Sequence, residues 1–294
     1  MPRRKIWSVI TDRPPALDLG NPPDDLGSAL PPLALERWNA GIRAASDGDN
    51  DVISIYEMIG EDFWSGGGMT SSRMAGLLRK LEGRDIEVHI NSPGGDMFEG
   101  ISIYNQLREH KGHVTVKVMG LAASAASIIA MAGDEVRMGA ASFLMVHNCW
   151  VVAIGNRHDM REVADFLEPF DAAMADVYAM RSGTSKDKVE GWMDAETFIN
   201  GTQAVEWGLA DSLFDKDEVT VDPVAKAEAA KVHAIRRVDN ALARSGLPRS
   251  ERKRLLNEIK GGMPGAAADD AMPGAGDFGD WTAAAARLLT TLQT

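Results

Sequence analysis

The chain has 294 residues, 45% hydrophobic and 25% charged, the balance of an ordinary globular protein. A formal net charge of −12 argues against nucleic acid or an anionic membrane as a partner of the main body. The one cysteine, Cys149, excludes an intrachain disulfide and fits a reducing compartment.

Residues 1–50 hold seven prolines, with pairs at Pro14-Pro15, Pro22-Pro23 and Pro31-Pro32. That spacing predicts a flexible extended arm, apart from a short turn between Leu33 and Ala45. Asp12, Arg13, Pro14 and Pro15 interrupt the basic start before an apolar run forms, so no secretory signal is expected. The most hydrophobic run, Val116 to Gly133, is too short and too polar to span a bilayer. A soluble, cytoplasmic protein is expected.

Order is predicted from Asp51. Val52 to Tyr56 alternates as a strand does, and Met74, Leu77, Leu78 and Leu81 fall at helical spacing behind a cap at Thr70 or Ser71. A strand at Ile86 to Ile90, a helix at Met97 to Glu109 and a strand at Val114 to Met119 follow. The pattern continues with a helix opening at Ser124, strands near Glu135 to Met138 and Phe143 to His147, and a long amphipathic helix from Arg157 to Arg181. Strands alternating with helices predict an α/β domain over residues 51–215. Beyond it, the sequence predicts a basic helical extension over 216–262, broken at Ser245 to Pro248. A Gly/Ala/Asp-rich flexible linker over 263–280 and a short terminal helix over 281–294 complete the chain.

Three segments carry chemistry. Gly94-Gly95 closes a turn after a strand and suits a backbone N–H aimed at an oxyanion. Ser124 opens an apolar helix among Ala122, Ala123, Ala125 and Ala126, which leave room around its hydroxyl. His147 ends an apolar strand. Together they predict acyl transfer, with Ser124 as nucleophile, His147 as base, and the N–H groups of Gly95 and Ala125 as the oxyanion hole. Ser127, the rival serine, lies one helical turn further on and is expected to bond a backbone carbonyl. Cys149 is read as a small buried residue, because a side chain two places from His147 on a strand stands too far for direct proton transfer. No HExxH, CxxC or P-loop occurs, so no metal, nucleotide or other cofactor is expected.

The combination of Asn91 to Gly95, Gly120-x-Ala-Ala-Ser124, Met145-Val-His147 and Ala204 to Asp211 resembles the Clp protease proteolytic subunit, ClpP. It is most similar to the phage and prophage branch of head maturation proteases. The resemblance covers roughly Asp51 to Phe214 and implies a spiral of β-β-α units shared with crotonase. It also implies a Ser-His-Asp triad, and ring-shaped homo-oligomers in which the long helix interdigitates. At the family's acid position, two residues before Phe198, this chain has Glu196, with Asp194 as the alternative. The expected function is a serine endopeptidase acting on protein or peptide substrates such as capsid or scaffold proteins, with an ATP-dependent unfoldase as candidate partner. A crotonase-like acyl-CoA enzyme and a non-catalytic capsid assembly or scaffolding protein are the alternatives.

Overall fold

The computed structural model describes residues 27–28, 31–45, 51–62, 67–153, 155–214, 219–244, 247, 251–252 and 254–257. Contacts divide the chain into two compact units at Arg249/Ser250.

The first unit begins with strand β1 (Gly27–Ser28), helix α1 (Pro32–Arg37) and strand β2 (Ile42–Ala44). Proline at the start of α1 costs nothing there, because the first N–H groups of a helix have no intrahelical partner. Ala34, Leu35, Trp38 and Ala40 are buried in one cluster with Leu121, Ala123 and Met145. Residues 31–45, where the sequence predicts an arm interrupted by a short turn from Leu33 to Ala45, thus hold a helix and a strand, with part of the segment packed on the body. Trp38 alone supplies a large apolar side chain with a polar edge, and its Nε1–H donates to the Asn91 carbonyl at 3.0 Å.

The α/β body follows: β3 (Val52–Ile55), α2 (Ser71–Lys80), β4 (Ile86–Ser92), α3 (Met97–Arg108), β5 (Val114–Ala123), α4 (Ala125–Ala130), β6 (Glu135–Gly139), β7 (Phe143–Val146) and β8 (Val151–Val152). Thr70 caps α2 by accepting from the Arg73 N–H, and Asp96 caps α3 by accepting from the Glu99 N–H. Strands run in the order β10 (Ser212–Phe214), β6, β5, β4, β3, all parallel, with β7 added to the far end of β5. Alternate residues such as Ile53, Ile55, Val88, Val116, Val118, Val136 and Met138 enter the main core. Their partners Ser54, Glu87, Thr115, Lys117 and Arg137 are less buried, the two-residue period of a sheet with unlike faces.

The rest of the unit comprises α5 (Arg157–Ser182), α6 (Lys186–Asp194), β9 (Thr197–Asn200), α7 (Gly201–Glu206), β10 (Ser212–Phe214), β11 (Val219–Val221) and α8 (Pro223–Arg244). Helix α5 starts with a capping box between Asn156 and Asp159 and ends on Gly183 in a left-handed turn. Its C-terminal half buries Phe170, Met174, Ala175 and Tyr178, whereas the half before Pro169 buries no residue fully. Strand β9 pairs antiparallel with β7, and β11 pairs with β2.

The second unit is helical at Glu251, Arg252 and residues 254–257, with Leu256 buried. The predicted linker over 263–280 and terminal helix over 281–294 lie outside the described residues. Among the described residues no helix is long and apolar enough to cross a membrane.

Candidate active site

Register brings the site together. Strand β5 pairs with β7 through Leu121↔Phe143, Ala122↔Leu144 and Ala123↔Met145, so Ser124 and His147 emerge at the same end of two adjacent strands. Ser124 Oγ lies 2.7 Å from His147 Nε2, within hydrogen-bond reach for proton transfer. His147 is 5% exposed. Burial pushes its imidazole down to about 4, so the ring is neutral and able to accept a proton at pH 7.

The backbone at Ser124 is unusual. Its φ of 56° and ψ of −127° fall where L-residues rarely sit, at the turn from β5 into α4. Such strain persists only where neighbours over-determine it. Here the Ser124 N–H donates to the Met145 carbonyl at 2.9 Å, and its own carbonyl accepts from Ser127. The Ser124 hydroxyl makes no capping bond to α4. It is therefore not spent as a helix cap. Ser127 is fully buried, its hydroxyl 2.6 Å from the Ser124 carbonyl and 2.7 Å from the Tyr178 hydroxyl of α5.

Gly94 and Gly95 lie against this turn with φ of 90° and 150°. A Cβ on Gly94 would stand 2.7 Å from the Ser124 Cβ, and one on Gly95 would stand 2.1 Å from the Ile59 carbonyl oxygen. Both positions admit only glycine. The Ile59 N–H donates to the Gly94 carbonyl and the Asp96 N–H to the Ile59 carbonyl. Among the described residues, the N–H groups of Gly95 and Ala125 make no hydrogen bond within the chain. Two such unengaged donors beside a nucleophile are what a developing oxyanion requires.

The acid side differs. Strands β7 and β9 pair antiparallel through Met145↔Phe198 and Val146↔Thr197; one further step puts Glu196 opposite His147. Glu196 has a φ of 47° and, with Ser124, is one of two non-glycine residues with positive φ among those described. Its side chain is exposed and makes no hydrogen bond to His147. Asp194 is also exposed, and accepts from Asn148 Nδ2 at 2.7 Å. Two partners were not read from the sequence. Asn148 engages Asp194, and Asp171 of α5 accepts from the Cys149 N–H at 2.6 Å, pinning the segment after His147. Both are single polar residues with no spacing signal. Cys149 is half-buried, and burial with the nearby Asp171 carboxylate pushes its thiol far up, so it is no nucleophile.

The chain is similar to known proteins. The chain is 28% identical over 202 residues to the ATP-dependent Clp protease proteolytic subunit 1 of Prochlorococcus marinus, covering 64% of this chain and 97% of that protein. It is 30% identical over 194 residues to the corresponding subunit 2 of a Synechococcus species, covering 64% and 97%. Identity to the Bacteroides fragilis proteolytic subunit is 32% over 136 residues, covering 46% and 66%. The Clp protease family matches residues 68–217, a span that holds Gly95, Ser124, Ala125, His147, Asp194 and Glu196, and the chain belongs to that family.

Proposed function

We propose that this protein is a serine endopeptidase working through an acyl-enzyme. The 2.7 Å contact between Ser124 Oγ and His147 Nε2 carries the proposal. Ser124 Oγ attacks the scissile carbonyl as His147 Nε2 takes its proton, and the Gly95 and Ala125 N–H groups receive the negative charge on the carbonyl oxygen. His147 then protonates the leaving amine. Water, activated by the same imidazole, releases the acyl group from Ser124.

Glu196 is the preferred acid. Its place in the β7–β9 register and its left-handed backbone both support it, whereas Asp194 is committed to Asn148. A fluorophosphonate tests the assignment, because it modifies an activated serine. Labelling of Ser124 with turnover of a fluorogenic peptide supports the proposal; an unlabelled, inert protein refutes it.

Membership of the Clp protease family supports protein substrates and a ring-shaped homo-oligomer. Half-buried Val163, Phe166 and Leu167 on the outer half of α5 offer an apolar stripe for subunit contact. Replacing Phe166 with Glu is expected to give smaller particles in light scattering, and an unchanged assembly would exclude the stripe as interface. On its resemblance to the phage and prophage branch, we further propose a role in phage head maturation, with capsid or scaffold proteins as substrates in the host cytoplasm. The relatives are named ATP-dependent and this sequence has no P-loop, which supports an ATP-dependent unfoldase on a separate chain as partner.

A further inference from the structure

Helix α8 lies outside the 68–217 span of the family match, yet one of its residues reaches toward the candidate site. Arg236 and Asp62 form a buried ion pair, Nη2 to Oδ2 2.5 Å, with side chains 7% and 3% exposed. The Arg236 Nε and Nη1 atoms are buried without partners. A guanidinium taken out of water with most of its donors unanswered is a poor source of stability. Its connections point elsewhere.

Two short paths lead from Arg236 to the same turn. On one side Asp62 follows Ile59 and Gly60, where the Ile59 N–H donates to the Gly94 carbonyl and the Ile59 carbonyl accepts from Asp96. On the other side the guanidinium lies 5.8 Å from the Trp38 ring centroid, and Trp38 Nε1–H donates to the Asn91 carbonyl. Asn91 and Asp96 bracket Gly95. We infer that Arg236 is a positioning residue that holds the Asn91 to Asp96 turn from both flanks, so that the Gly95 N–H is aimed at the oxyanion. The inference rests on the serine hydrolase reading of the site. The C-terminal extension is thereby a working part of catalysis.

The test compares kcat/KM for a peptide ester with that for the matching thionoester, whose sulfur profits little from oxyanion-hole donors. Arg236→Met is expected to lower ester turnover by roughly tenfold, less than the 10²-fold or more of deleting a donor outright. Thionoester turnover should stay within about twofold, collapsing the ratio between the two. Because Arg236→Met removes the cation beside the buried Asp62 carboxylate, the double variant Asp62→Asn/Arg236→Met removes both charges and is expected to fold with the same collapsed ratio. Arg236→Lys, which keeps the charge, should restore most of it. Equal losses on both substrates, or no loss on either, in the folded variants would overturn the inference and leave the serine hydrolase reading intact. A wild-type protein that a fluorophosphonate fails to label would remove that reading and the inference with it.

Discussion

The Ser124 side and the Glu196 side of the candidate site are built to different standards of order. Ser124 is fixed by a parallel strand pair, by its backbone bond to Met145 and by the Ser127 contact to its carbonyl, and it meets a histidine 5% exposed. Glu196 has the register that would deliver it to the same histidine, but its side chain is in solvent, on a strained residue just before β9. One half of the site is assembled by core packing. The other half depends on an exposed carboxylate at a turn, on a residue with left-handed backbone. The lesson is that a buried donor–acceptor pair can be pre-organised by strands alone, whereas an exposed acid needs a further constraint.

The contrast can be broken most severely at the nucleophile. Ser124→Ala is expected to lower kcat on the order of 10⁴-fold or more while leaving the melting temperature within a few degrees, since only a hydroxyl is removed. Ser127→Ala should retain most activity and lose stability instead, because its hydroxyl joins the Ser124 carbonyl to Tyr178 in the core. The opposite pattern, an active Ser124→Ala and an inert Ser127→Ala, would exchange their roles.

A second test uses the depressed imidazole. Native His147 takes up its proton near pH 4, whereas the unfolded chain does so near 6.5. Between those values the unfolded state binds more protons, so stability is fully present above pH 6.5 and is lost as pH falls toward 4. The loss amounts to about 3 kcal/mol at one pKa unit per 1.36 kcal/mol. Denaturant unfolding of the wild type and His147→Gln at pH 7 and pH 4 should show the steeper loss in the wild type. Parallel losses would mean that water reaches the ring more freely than its burial indicates.

The acid side carries the smallest expected effect. Glu196→Gln should lower kcat by about ten- to a hundredfold, short of the roughly 10⁴-fold seen where a buried acid fixes the tautomer. Asp194→Asn should cost less, because its carboxylate partners Asn148 rather than the imidazole. Steady-state kinetics on a fluorogenic peptide rank the two. A dead Asp194→Asn beside a healthy Glu196→Gln would move the acid by two residues.

Much of the α/β body was legible in the sequence because two-residue and helical periods survive in single segments: Val52 to Ile55, Met74 to Leu81 and Val114 onward each declare a buried face. Ser124, His147, Gly94 and Gly95 were legible for a related reason. A serine among alanines at a strand end, and paired glycines after a strand, have few uses besides tight backbone approach. The strand positions could be read locally, but their pairing could not. That β5 runs beside β7, and that β9 returns antiparallel so as to set Glu196 opposite His147, is decided by contacts between segments far apart in the chain. Burial of Ala34, Leu35, Trp38 and Ala40 was hidden for the same reason, since prolines describe the local backbone and say nothing of the cluster that accepts Trp38. Arg236 is the extreme case. Its meeting with Asp62, 174 residues away, leaves no periodic trace, because one charge on one helix acquires its meaning only when tertiary packing removes it from water.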